Sequence, residues 1–188
     1  MTPLVRTGFA ALALAALSLV GGCSEAEDKT SAPVTQNDAT LTLAAALGAN
    51  KALGTLQSAI EQSELSGVLD GRASYTVLAP KDRAFAALGE DGAALLEDEQ
   101  RPVLIAILRD HMLPGHLTLE AIGAAIDRRG GPVTMTTLGQ TEVQFARSGE
   151  TLTVTMDGGA SARVSGTAIA ANNGVLIPID TVLLPPRG

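Results

Sequence analysis

The chain is poor in aromatic residues and in sulfur. Aromatics make up 2% of its 188 residues, with no tryptophan, one tyrosine and three phenylalanines. A core must therefore be assembled from Leu, Ile, Val and Ala. Cys23 is the single cysteine, and His111 and His116 are the two histidines. So small a set cannot supply a nitrogen-and-sulfur zinc site. The carboxylate run Glu97-Asp98-Glu99 lacks the alternating ligands and glycine of a calcium loop. It reads as a helix start, where the macrodipole favours negative charge. No glycine-rich phosphate cradle precedes a helix. Ser161 follows Gly159-Ala160 but lacks the second glycine of a hydrolase elbow. Basic residues are also short: 13 Lys and Arg face 20 Asp and Glu, a formal net charge of −7. With no basic stripe, such a surface repels nucleic acid and anionic headgroups. These absences predict a non-enzyme with no cofactor and no metal.

No apolar run is long enough to cross a bilayer as a helix. The one greasy stretch, Phe9 to Val20, is roughly a dozen residues against the ~20 a span needs. It follows Arg6 and precedes Val20-Gly21-Gly22-Cys23, the order of a secretory signal peptide. A lone cysteine at the cut resembles a bacterial lipobox, so residues 1–22 are expected to be removed and Cys23 to be lipidated. An unpaired thiol would otherwise be a liability in an oxidising compartment. Each buried methylene contributes about 0.8 kcal/mol, so several acyl chains on one residue anchor permanently. Ser24, where sorting to the inner membrane uses aspartate, favours the outer membrane of the envelope. Residues 23–39 carry almost nothing to bury and read as a flexible spacer. Residues 40–186 suit one domain.

Within that domain, helical spacing links Leu41, Leu43 and Leu47, and Asn50 is placed to cap a second helix through Leu53, Leu56 and Ile60. Tyr75 to Leu78 reads as a strand stopped by Pro80, and Asp82 as the cap of a brief helix through Phe85 and Leu88. Pro102 suits a first helical turn, with Val103, Leu104, Ile107 and Leu108 on one face. Pro114-Gly115 ends that helix. Thr118 caps another that turns Leu119, Ile122 and Ile126 inward. Beyond Gly130-Gly131-Pro132 the period shortens to two. Strands are expected over Val133–Leu138, Glu142–Ala146, Thr151–Met156, Ala162–Ala170 and Val175–Ile179. Helices first and mainly antiparallel hairpins after make an α+β domain.

Three segments resemble the signature blocks of fasciclin domains. Tyr75-Thr76-Val77-Leu78-Ala79-Pro80-Lys81-Asp82-Arg83-Ala84-Phe85 is similar to the first block. Leu108 to Gly115 is similar to the middle block, and Asn173-Gly174 through Pro186 to the closing one. The order and spacing also agree. The resemblance implies a helical layer packed on a wedge of mainly antiparallel strands. Thr76, Pro80, Asp82, Phe85, Asn173, Gly174 and Asp180 are expected to be architectural, with Asn173-Gly174 giving the positive-φ positions of a tight turn. Pro178 cannot donate to a ladder, which suggests an edge or a bulge. The chain departs from the family at Asp110, where an aromatic residue is usual, and at Ile177, where histidine is usual. His111 is accordingly expected to be a buried or half-buried hydrogen-bonding residue.

The resemblance implies an adhesion or interaction module, its partner a protein or polysaccharide of the envelope or matrix. The membrane is reached through the lipid. The candidate contact residues are Asp110, His111, Pro114, Gly115 and His116, with Lys81, Asp82 and Arg83. A different reading is an envelope carrier of a small hydrophobic ligand, a pigment or lipid, held in a groove near the first and closing blocks.

Overall fold

The computed structural model describes residues 33–185, so the expected signal peptide, Cys23 and most of the spacer lie outside the described residues. In chain order the elements are β1 (Thr35–Asn37), α1 (Leu43–Ala49), α2 (Gly54–Gln62), α3 (Ser66–Leu69) and β2 (Tyr75–Pro80). Helices α4 (Asp82–Ala86) and α5 (Glu90–Leu95) follow, and a 3-10 turn (Asp98–Gln100) runs into α6 (Arg101–Asp110). Then come β3 (Met112–Pro114), α7 (Leu119–Arg129), β4 (Val133–Thr136), β5 (Glu142–Ser148) and β6 (Thr151–Met156). Strands β7 (Ser161–Arg163), β8 (Ala168–Ala171) and β9 (Gly174–Ile179) complete the α+β fold.

Among the described residues nine strands form two sheets, a five-stranded one in the order β1-β8-β9-β2-β3 and a four-stranded meander β4-β5-β6-β7. The meander is antiparallel throughout. The larger sheet is mixed, because β1 runs parallel to β8 and β2 parallel to β9. Since successive side chains on a strand face opposite ways, this sheet serves two cores. Val77 and Ala79 of β2, Met112 of β3 and Leu176 of β9 point into a helical core with Leu43, Leu47, Leu56, Phe85, Leu104 and Leu108. Leu78, Leu113, Val175, Ile177 and Ile179 point the other way, onto α7 and the meander, against Ile122, Phe145, Val154 and Met156. Every residue of β9 is buried. That is the signature of a strand covered on both faces.

Thr118 caps α7 as its sequence signal predicts, and Thr42 caps α1 in the same way. Thr42 Oγ1 accepts from the Ala45 amide at 3.2 Å, and Thr118 Oγ1 accepts from Ala121 at the same distance. Leu119, Ile122 and Ile126 are buried as the spacing predicts.

Several expectations need correction. The folded chain begins before residue 40: β1 pairs with β8, and Thr35 is bonded to α7. Its polar, turn-rich composition hides a strand that contributes backbone pairing and little burial. Asn50 ends α1 and bonds the Ala52 amide within the following turn (3.1 Å); it does not cap α2. Nor does Asp82 cap its own helix, whose N-cap is Lys81. Val103 is 48% exposed, because Leu104, Ile107 and Leu108 already fill the buried stripe of α6. The stretch Ala162–Ala170 is not one strand but two, in different sheets, broken at Ser165-Gly166-Thr167. Asn173 does not adopt positive φ. Pro178 lies in a central strand, yet its carbonyl accepts from Ser165, on the side away from β2. β8 has already ended there, so the missing proline donor interrupts no ladder.

Gly174 is needed for close approach. A Cβ there would overlap the Tyr75 carbonyl and the Leu43 side chain, at the point where β9 enters beside β2. Gly174→Ala is therefore expected to destabilise the domain by about 1–3 kcal/mol or more, as overpacking does. Gly131→Ala, where a Cβ meets nothing within 4 Å, should be close to neutral. Urea denaturation of the two variants checks the contrast.

Candidate interaction site

The three blocks singled out in the sequence become neighbours. The first supplies β2, the middle β3 and the closing block β9, and β2 lies between the other two. Their polar side chains hold this junction together. Thr76 is fully buried; its hydroxyl donates to Gly115 O (2.8 Å) and accepts from the Leu117 amide (2.9 Å), fixing the turn after β3. Asp82 accepts from the Thr55 amide at 2.8 Å, so it satisfies a free donor at the start of α2 rather than of its own helix. Asn173 Oδ1 accepts from the Leu43 amide (2.8 Å), while Nδ2 donates to Leu69 O (2.7 Å) and Gly71 O (3.0 Å). One side chain thus ties the β8–β9 turn to α1 and α3. Asp180 accepts from the Arg163 amide (2.8 Å) and the Thr181 hydroxyl (3.0 Å), and pairs with the Arg163 guanidinium at 3.3 Å. Pro80 and Phe85 are buried, Phe85 in the helical core.

His111 is 2% exposed and sits where α6 gives way to β3. The Leu183 amide donates to its Nε2 at 2.9 Å, so the ring proton is on Nδ1, which donates to Ile107 O at 2.8 Å. The ring therefore joins the end of α6 to the closing segment. Burial lowers its pKa; the Ile107 carbonyl and the Asp110 charge act the other way without offsetting it. Asp110, in the place usual for an aromatic residue, is also buried and accepts from the Thr137 hydroxyl at 3.0 Å. Glu120 shows the reverse balance. Burial raises its pKa, but hydrogen bonds from Thr35, from its own amide and from Thr118 outweigh that and leave it lowered.

The candidate contact residues are not one patch. Asp110 and His111 are inside, and only Pro114, Gly115 and His116 of that segment reach the surface. The exposed part lies beside Tyr75, at the start of β2, whereas Lys81, Asp82 and Arg83 follow its end. Six strand residues, on the order of 17–20 Å, separate the two. His116 holds Ala171 O at 3.2 Å. At the other end Arg83 donates to Ser165 Oγ at 2.7 Å and Lys81 Nζ to the same oxygen at 3.2 Å. Ser165 is missed by a sequence reading that runs one strand through it. The available signal was the Ser-Gly pair, a turn marker.

Among the described residues, every buried side-chain nitrogen and oxygen has a hydrogen-bond partner. No group of three His, Cys, Asp or Glu side chains among them is arranged to hold a metal ion. Ser161 bonds Thr155 across β6 and β7 at 2.9 Å. Two cavities of about 170 and 270 Å³ open on the meander side, lined in part by Glu142, Gln144 and Asp157, and by Leu119, Arg147 and Glu150. Neither is lined by the first or closing block, where a carrier's groove is expected.

The fasciclin domain family matches residues 51–185. Among curated proteins, "Protein sll1483" of Synechocystis sp. is 30% identical over 154 residues, covering 79% of this chain and 76% of that protein. "Transforming growth factor-beta-induced protein ig-h3" of Sus scrofa is 31% identical over 132 residues, 70% of this chain but 17% of that protein. A solved FAS1 domain pair from the insect cell adhesion molecule Fasciclin I aligns with a TM-score of 0.67 at 16% identity. It covers 81% of this chain and 51% of the pair, a likeness of fold.

His111 generates a pH prediction with a definite sign. The unfolded ring binds a proton below its ordinary pKa of 6.5 and the folded ring resists it. Stability should be complete above that value and fall as pH drops below it, by at most about 1.4 kcal/mol per pH unit from this group. His111→Ala leaves the Leu183 amide unpaired and should cost about 3 kcal/mol. It should also flatten the acid slope. Chemical denaturation across the pH range reads both.

Proposed function

Because this chain belongs to the fasciclin domain family, we propose that it is a lipid-tethered adhesion or interaction module of the cell envelope, without catalytic activity. The observation that carries this reading is the engagement of the block residues. Thr76, Asp82, His111, Asn173 and Asp180 each serve a backbone group. Acid–base or nucleophilic chemistry needs a side chain poised on a reacting atom. These five are poised on their own fold. Contact is then left to the exposed residues that the fold presents.

In this reading Cys23 carries the acyl chains and the segment before β1 gives reach. The outer membrane is the favoured location and an envelope or matrix protein or polysaccharide the partner. Many copies on one membrane let weak contacts add, since tethering makes every later contact effectively intramolecular. The relatives supply the precedent: the solved neighbour comes from an insect cell adhesion molecule. The carrier reading has no specific observation in its favour.

Cells lacking the protein should attach to surfaces and form biofilm less well than the parent. Cells carrying Cys23→Ala should resemble the deletion, because an untethered domain cannot hold a cell. Attachment unchanged in both strains would remove the adhesion reading. Protein purified from native-like cells should yield no extractable pigment or lipid beyond its anchor; a stoichiometric ligand would restore the carrier.

A further inference from the structure

We propose that β4 is an open pairing edge whose occupant is β4 of a second copy of this chain, laid antiparallel about a two-fold axis at Met135. This goes beyond the interaction-module reading by giving the module a partner. Successive residues of an edge strand send their backbone groups alternately towards the neighbouring strand and away from it. On β4 the register fixes which do which. The Thr137 amide bonds Thr141 O at 2.9 Å, and in the same register Met135 lies opposite Val143 and Val133 opposite Phe145. Those residues therefore bond β5, while Thr134 and Thr136 direct N–H and C=O outward. Both threonines are exposed, and their backbone groups make no bond outside the β5 pairing among the described residues.

At each of the other sheet edges an outward group is already taken. On β7, Asp180 engages both backbone groups of Arg163: its amide donates to Arg163 O (3.1 Å), and its Oδ1 accepts from the Arg163 amide (2.8 Å). On β3 the Met112 carbonyl accepts from the Leu138 amide (2.8 Å), and Pro114 has no amide to offer. On β1 the Thr35 amide donates to Glu120 Oε1 (3.0 Å). Native edges are commonly blunted by charge, proline or a bulge. Val133–Thr136 carries none of these.

The residues of the edge select its occupant. Thr134-Met135-Thr136 reads the same in both directions, so a two-fold axis at Met135 sets Thr134 of each copy opposite Thr136 of the other. Those pairs exchange the free backbone bonds, and on the outer face threonine stands against threonine, a favourable cross-strand pair. On the inner face half-buried Met135 meets its own copy, at a non-hydrogen-bonded pair where side chains stand closest. The strand holds no charged side chain, so self-pairing places no like charges opposite one another. The net charge of −7 opposes association at long range, and screening limits that to about 8 Å at physiological ionic strength. A strand of 4 residues makes a small interface, in the range of weak and transient contacts. Copies held on one membrane, as the tethered reading has them, supply the effective concentration such a contact needs.

The test expresses full-length Met135→Cys in native-like cells, applies a mild oxidant and resolves the protein on a non-reducing gel. Facing Cα atoms of a non-hydrogen-bonded pair are about 4.5 Å apart, within disulfide range, so a dimer should form. Thr134→Cys, one position along, should give far less, as should the wild-type chain with Cys23 alone. Adding Thr136→Pro to Met135→Cys removes an outward amide and no bond to β5. It should lower the dimer about tenfold, with the unfolding midpoint little changed. Should the proline variant fold poorly, the wild-type protein in detergent supplies a second readout. Its Thr134 and Thr136 amide signals should shift as concentration rises to about 1 mM, where weak pairing registers, while those of Ser161 and Arg163 stay put. No dimer from Met135→Cys, an equal dimer from Thr134→Cys, or threonine amides that shift only when a different protein is added would overturn the pairing. A missing dimer with attachment still lost in the deletion strain would overturn the pairing and leave the interaction-module reading standing.

Discussion

The parallel pairing of β2 with β9 is the contact on which the other elements depend. Tyr75 to Pro80 runs beside Gly174 to Ile179 in full register, and both strands are covered on both faces. Their alternating side chains create two cores at once, one under the helices and one under α7 and the meander. A one-residue slip would exchange the two sets. If β9 slipped, Leu176 would meet the meander, and Val175 and Ile177 the helices. Registration is secured at the entry by Gly174, where no Cβ fits, and by Asn173, which holds α1 and α3 against the same turn. At the far end Lys81 and Ile179 continue the ladder by one more bond.

Joining distant strands in parallel obliges the chain to spend its polar side chains on fastening. The strand on the other side of β2, β3, arrives through His111, and the last described segment returns to the same ring through Leu183. Partners close in sequence could have been held by turns. Partners some seventy to a hundred residues apart are held by buried hydrogen bonds, which are costly to leave unmade. The block residues are thus explained without any chemistry beyond the fold.

Much of this was legible in the sequence. Helix α7, with its Thr118 cap and its 3.6-residue stripe, and the β5–β6 hairpin follow from periodicity alone, and the three blocks gave the family and the fold. What was hidden has physical reasons. Asp82 and Asn173 look like local cap and turn residues because those are their commonest uses, but here both act across the fold, and no spacing rule encodes such a partner. β1 was read as spacer because an edge strand that buries little carries no hydrophobic signature. The break at Ser165-Gly166-Thr167 was overlooked because alternation continues on either side of it, even though the chain changes sheets there. The contacts of Lys81 and Arg83 with Ser165 depend on that break, and their partners are over eighty residues apart in the chain.

The central claim is that the polar residues of the three blocks act as structure, and His111 states it most sharply. Ring-nitrogen and amide NMR of the folded protein, followed from neutral pH into acid, tests it directly. The expected result is a neutral ring with its proton on Nδ1 and a slowly exchanging Leu183 amide, both persisting until the domain unfolds. A ring that gains its second proton near its ordinary pKa while the fold stays intact would contradict it.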